Sequence, residues 1–108
     1  MTAVARYGKA IAHEGQGAAL AKHLLAAAEG LASDPGCVLY LINQEKGNPD
    51  TVWVTEVWRS QADLDASVAR IRGSEQVAAA MALVSYWQVI EVEPLGGKGP
   101  GTAAAADN

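Results

Sequence analysis

The sequence predicts an α+β fold of the ferredoxin-like kind, βαββαβ with a four-stranded antiparallel sheet, and three observations lead to it. Two stretches carry apolar residues at helical spacing, and each is flanked by runs of Val, Ile, Tyr and Trp. The two middle runs follow one another with only a short polar stretch between them, which makes them a hairpin. Strand, helix, strand, strand, helix, strand is a split βαβ pair, and right-handed crossovers then place the first and third strands at the centre of the sheet.

The first strand spans Val4 to His13 and ends at the Gly15-Gln16-Gly17 punctuation. From Gln16 to Ala32 strong helix formers dominate, with Leu20, Leu24, Ala27, Ala28 and Leu31 forming one apolar face. Ser33-Asp34-Pro35-Gly36 breaks this helix: Pro lacks an amide donor, and Gly36 is expected to take the positive φ of a tight exit. Cys37 to Asn43 forms the second strand, Gln44 to Asp50 the polar turn region, and Thr51 to Trp58 the third strand. Ser60 is placed to cap the next helix, with Asp63 three positions on and Leu64, Val68 and Ile71 on its buried side. Gly73 suits a left-handed cap, Ser74 restarts an Ala-rich helical piece running through Val84, and Ser85 to Glu93 closes the sheet before Pro94.

The chain has 108 residues, of which 22 are alanine and none is phenylalanine. A single small domain with so few large apolar residues buries little surface on its own, so a homodimer is expected. Period-2 alternation strengthens the expectation by putting Trp53, Thr55 and Val57 on the sheet face that the helices leave uncovered. The formal charge of -4 and a scatter of eight Lys and Arg exclude a phosphate-neutralising face, hence no nucleic acid. The lone Cys37 cannot form an internal disulfide, and two histidines with one thiol give no zinc spacing, so a metal is not expected and a reducing cytoplasm is. The apolar run Val77 to Val84 is too short to span a membrane, and Met1 to Arg6 lacks the apolar core of a signal peptide. Residues 1–95 are thus expected to form the domain, and the Gly- and Ala-rich residues 96–108 a tail outside it.

Asp34-Pro35-Gly36-Cys37 followed by Tyr40, together with Val52-x-Val54-x-Glu56-x-Trp58-x-Ser60 leading into a capped helix, resembles the antibiotic biosynthesis monooxygenase family over residues 4 to 93. The resemblance implies a dimeric α+β barrel, two ferredoxin-like subunits packed sheet to sheet. It also implies one of several activities: oxygenation of aromatic quinol, anthrone or polyketide-like intermediates with no cofactor, haem degradation, or processing of small signalling molecules. A non-catalytic dimeric binding or accessory domain is the remaining alternative, since one fold hosts unrelated functions.

Alternation on the third strand puts Val52, Val54, Glu56 and Trp58 beneath the helices, on the family's pocket side. There the Trp58 indole can stack on a planar aromatic and the Glu56 carboxylate can take a phenolic hydrogen bond or proton, which makes these two the candidate catalytic residues. Each also has a plain structural reading, Trp58 as core and Glu56 as a neighbour's ion-pair partner. Val54, Tyr40, Ser67 and Tyr86 are the candidate substrate contacts. Arg6 and Lys9 fall on opposite faces of the first strand, so only one of them can supply a donor to the pocket. Many relatives carry a His nine residues after this Trp, where Ser67 stands here, and an Asn on the first strand near Tyr7-Gly8-Lys9; the axial ligand that haem-degrading relatives use is therefore missing at the expected place. His13 and His23 read as solvated or helix-packed residues, and Cys37 as a small buried hydrophobe.

Overall fold

The computed structural model describes residues 2–99. Its elements are β1 (Val4–Ala12), α1 (Gly17–Gly30), β2 (Cys37–Glu45), β3 (Asn48–Trp58), α2 (Gln61–Ile71), α3 (Glu75–Met81) and β4 (Val84–Val92). The strands form one antiparallel sheet in the order β2-β3-β1-β4, with the first and third strands central as the crossover rule requires. The predicted ferredoxin-like α+β fold is therefore the one observed. No helix among the described residues is long and apolar enough to cross a membrane.

Cross-strand register sorts the side chains. Arg6 is opposite Glu56, Gly8 opposite Val54 and Ala10 opposite Val52, which places these residues on the helix-covered face. Tyr7 faces Thr55 and Lys9 faces Trp53 on the other side of the sheet. Under the helices, Ala10, Ala12, Leu20 and Val52 form a core of mostly small residues, with Leu24, Ile42 and Leu83 packed around it. Trp58 and Leu64 are equally buried but lie outside this cluster, towards the other end of the sheet. The interior is thus divided, with a close-packed end where alanines let helix and sheet approach and a second end around the indole.

Three local predictions change. The hairpin turn is shorter than the polar stretch suggested: β2 runs to Glu45 and β3 starts at Asn48, leaving a turn at Lys46 and Gly47, the latter at φ 77°. Asp50, expected in that loop, is therefore a strand residue, and its carboxylate accepts from the backbone N–H of Gly17 (2.9 Å) and of Gly15 (3.0 Å). It caps α1 from across the structure, where Gln16 provides no side-chain cap. Gly17 has to be glycine for this contact, since a Cβ there would overlap the Pro49 carbonyl oxygen. Gly36 is not in the positive-φ region expected of it. Its requirement is steric, because a Cβ would come within 2.7 Å of the Asp63 side chain. Finally, the Ala-rich helical piece ends at Met81, and Val84 already belongs to β4, where it pairs with Ala12.

Ser60 caps α2 as expected, its hydroxyl accepting from Asp63 N at 3.2 Å. Ser60→Ala is expected to cost about 1 kcal/mol, read as a lower urea midpoint with an unchanged slope. Gly73, at φ 76°, follows the end of this helix, and Ser74 caps α3 through Val77 N.

On the uncovered sheet face Tyr7, Leu41, Trp53, Tyr86 and Ile90 are exposed. Lys9 Nζ lies 5.2 Å from the Trp53 ring centroid, and the Trp53 indole N–H donates to Glu45. Part of this face is lined by the chain's own C-terminal stretch: Glu93, Pro94, Gly96, Lys98 and Gly99 bound a cavity of about 490 Å³ with Ala5, Tyr7, Leu39, Thr55 and Val57. The remainder of the Gly- and Ala-rich tail, residues 100–108, lies outside the described residues.

Candidate active site

An open cavity of about 500 Å³ lies between the helices and the covered face of the sheet, within the range of small-molecule sites. Its floor is built from neighbouring strands. Tyr40 on β2, Glu56 on β3 and Arg6 on β1 stand in register in one row across the sheet, with Glu91 of β4 next in line. Trp58, two residues along β3, shares their face. Ala26 and Ala27 of α1, Leu31 just after it, and Leu64, Ser67 and Val68 of α2 close over this floor. Where α1 presents alanines, the short side chains leave room above the floor.

Glu56 is the hub of the polar contacts. It is buried, only 5% exposed, and a buried carboxylate requires partners. The Trp58 indole N–H donates to Glu56 Oε1 at 2.9 Å, and Arg6 Nη2 donates to Oε2 at 3.1 Å and, more weakly, to Oε1 at 3.4 Å. The indole and the guanidinium thus hold the carboxylate in a single orientation. Trp58 itself is 1% exposed, so it acts as core and as hydrogen-bond donor at once, the ring packing while its N–H positions Glu56.

Tyr40 and Ser67 both line the cavity, and neither hydroxyl has a hydrogen bond among the described residues. Burial, reinforced by the negative charge of Glu56 and opposed by Arg6, pushes the Tyr40 phenol up to about 12. Tyr40 is therefore a phenol donor throughout the neutral range. A group that ionises near 10 in the unfolded chain and near 12 in the fold stabilises the protein fully below pH 10 and loses that contribution as pH rises towards 12. The unfolding free energy is expected to fall by on the order of 2 kcal/mol across this window, and Tyr40→Phe, compared over the same range, should remove that part of the slope. Cys37 is half-buried, and its thiol is pushed up by burial and by the charges of Asp34 and Glu56, which keeps it out of the reactive thiolate form.

At the cavity mouth, Arg70 of α2 donates to Asp34 Oδ2 at 2.6 Å, while Asp34 Oδ1 accepts from Gly36 N at 2.9 Å. This ion pair ties α2 to the turn that follows α1. Arg70 is well exposed, so the pair contributes little to stability; what it does is define one edge of the opening.

Of the six residues expected at the site, Glu56, Trp58, Tyr40 and Ser67 come together around this cavity. Val54 shares their strand face but is fully packed, between Gly8 and Ile42 in register, and does not reach the cavity. Tyr86 is a correction: in register with Ile11, it belongs to the uncovered sheet face, where its hydroxyl donates to Gln88 Oε1 at 3.3 Å. Alternation groups Tyr86 with Gln88 and Ile90, but which face of β4 the helices cover is set by its pairing with β1. Arg6, which alternation had left undecided against Lys9, is the basic residue on the cavity side. His13 is exposed and His23 half-buried, and neither lines this cavity.

The family model for antibiotic biosynthesis monooxygenases matches residues 3–83. No functionally curated protein matches the sequence. Among solved structures, a Chloroflexus aurantiacus J-10-fl protein of that description is 34% identical, with TM-score 0.78, over 93% of this chain and 100% of its own. One from Deinococcus radiodurans is 22% identical with TM-score 0.78, covering 89% of this chain and 96% of its own. SnoaB, a cofactor-independent oxygenase from Streptomyces nogalater, shares 16% identity and the same fold at TM-score 0.78, over 90% of this chain and 97% of its own. The matched segment holds β1 through α3, and with them the whole Arg6, Tyr40, Glu56 and Trp58 constellation; the chain belongs to the antibiotic biosynthesis monooxygenase family.

Proposed function

We propose that this protein is a small monooxygenase that oxygenates a planar aromatic molecule of the anthrone, quinol or polyketide-like class without a cofactor, as a cytoplasmic homodimer packed sheet to sheet. The observation that carries the reading is the Glu56 carboxylate, held by Trp58 and Arg6 on the floor of an open, apolar-roofed cavity. A packed interior around these residues would have favoured an accessory role; a space of about 500 Å³ supports a ligand.

Oxygenation of this kind begins with an electron-rich anion. Glu56 accepts the proton of the substrate, and the walls exclude bulk water from the anion. The anion gives one electron to dioxygen, and the resulting radical and superoxide combine at carbon. With an anthrone, the hydroperoxide so formed loses water, so that a CH₂ becomes C=O, one oxygen atom is retained and the other leaves as water. Tyr40 and Ser67 are available as donors to the substrate's oxygens. The dimer is supported by the exposed aromatic and aliphatic groups of the uncovered sheet face, and the cytoplasmic setting by the free Cys37.

The test is oxygen uptake by chelator-treated protein with an anthrone and with a dihydroquinone, no flavin or metal added. The expected result is one O₂ consumed per substrate with one oxygen atom retained in the product, the anthrone giving its quinone and the dihydroquinone a hydroxyquinone, and the other oxygen leaving as water. No uptake above the rate in buffer across such a panel would sink the proposal.

A further inference from the structure

The charged side chains that line the cavity are two cations and two carboxylates: Arg6 with Glu56 on the floor, Arg70 with Asp34 at the mouth. They cancel. Arg6 is nevertheless incompletely used. Only its Nη2 is hydrogen-bonded, and its Nε is buried with no partner among the described residues, a cost that a fully structural ion pair would avoid by satisfying every donor. Its side chain is also a wall shared with a second cavity of about 280 Å³, lined by Val4, Gln61 and Glu91 among others. Glu91, in register with it on β4, makes no ion pair with it. Arg6 therefore answers to one carboxylate and holds donors in reserve. The other titratable groups around this floor, Tyr40 and Cys37 from β2, are neutral at working pH, both being pushed up.

We propose that Arg6 is the counter-ion of the reaction: Glu56 takes a proton from an aromatic substrate that arrives uncharged, and Arg6, no longer matched by a charged carboxylate, holds the anion left behind. This rests on the reading that the cavity receives an acidic aromatic. In the step, the substrate's O–H or C–H bond breaks, its electron pair stays on the substrate, and a new O–H bond forms on Glu56; no oxidant is consumed. Before and after transfer the floor carries one positive and one negative charge, so the buried site never acquires a net charge, which a low-dielectric interior would penalise. The corollary concerns substrate class. A ligand that is already anionic adds its charge to that of Glu56 with nothing to balance it, so the site selects neutral phenols and carbon acids over carboxylates of the same shape.

The experiment uses two ligands of one shape, 2-naphthol and 2-naphthoate, titrated calorimetrically at pH 7 into wild type, Glu56→Gln and the Glu56→Gln/Arg6→Met double variant. Wild type is expected to bind 2-naphthol at least tenfold more tightly than 2-naphthoate. Glu56→Gln keeps an oxygen for the Trp58 N–H but removes the negative charge, which frees Arg6, and 2-naphthoate affinity should rise at least tenfold. The double variant should lose that gain. A 2-naphthoate affinity unmoved by Glu56→Gln, or a gain that survives removal of Arg6, overturns the proposal. A second measurement reads turnover: Arg6→Met should lower kcat on an anthrone at least tenfold, and Arg6→Lys should restore most of it. A kcat that survives the loss of Arg6 also overturns the proposal. The binding arm separates the two ideas. If anthrones are not oxidised but 2-naphthoate follows the predicted pattern, the oxygenase reading alone falls; if anthrones are oxidised but the pattern is absent, only the role of Arg6 falls.

Discussion

Trp58→Ala is expected to lower the unfolding free energy by about 3–5 kcal/mol, the usual range for emptying a buried aromatic site, and to abolish measurable oxygen uptake. Two losses combine in that figure. The indole is among the largest fully buried side chains, and its N–H is one of the donors that hold the Glu56 carboxylate. The cavity beside it makes the packing loss harder to repair, because the surrounding helices already span open space and have little reason to collapse inwards. Trp58→Phe separates the two contributions. It keeps most of the packing and removes the N–H, so stability should fall by only about 1–2 kcal/mol while oxygen uptake drops much further. Urea denaturation and oxygen uptake on both variants make the comparison, and equal fractional losses in the two would mean that the N–H has no part in positioning the carboxylate.

Glu56→Leu is expected to cost about 3 kcal/mol, because it strands the part-buried Arg6 guanidinium without its carboxylate. The cost comes from the abandoned cation more than from the lost attraction. Arg6→Met in the same chain should therefore recover most of it, since a matched apolar pair in place of a buried ion pair is commonly neutral or stabilising. The double variant should be well folded and inactive. If it proves no more stable than Glu56→Leu alone, the Arg6 contact with Glu56 is of surface strength and the energetic account of the floor is wrong.

The fold was largely legible because its signals were local and mutually consistent. Ser60 and Gly73 bracket α2 as capping chemistry requires, and alternation from Val52 to Trp58 sorts β3 correctly onto its two faces. The site was legible as far as β3 reached. Glu56 and Trp58 followed from the same alternation, and Ser67 from the family resemblance, as the position where many relatives carry a His. What could not be read was set by partners distant in sequence. Arg6 is chosen over Lys9 by a register fifty residues away, and Asp50 looks like a turn residue until α1 is docked against it. Tyr86 was misplaced because alternation groups it with Gln88 and Ile90 but does not say which face of β4 the helices cover, and that is fixed only by pairing with β1. Gly36 was recognised as obligatory for the wrong reason, its neighbour Asp63 being invisible from the turn alone.

The anchoring of α1 has a mechanical consequence. Its first turn is clamped, with Gly17 pressed on the Pro49 backbone, Asp50 holding the amides and Leu20 buried in the alanine-rich core. Its distal residues Ala26, Ala27 and Gly30 lie over open space. A helix of 14 residues, about 21 Å long, is thereby a beam held at both ends, since the turn after it is tied down by the Arg70–Asp34 pair and by Arg59 N donating to the Gly36 carbonyl. The space above Glu56 and Trp58 is thus spanned, not filled, and the helix keeps it open without side chains to prop it.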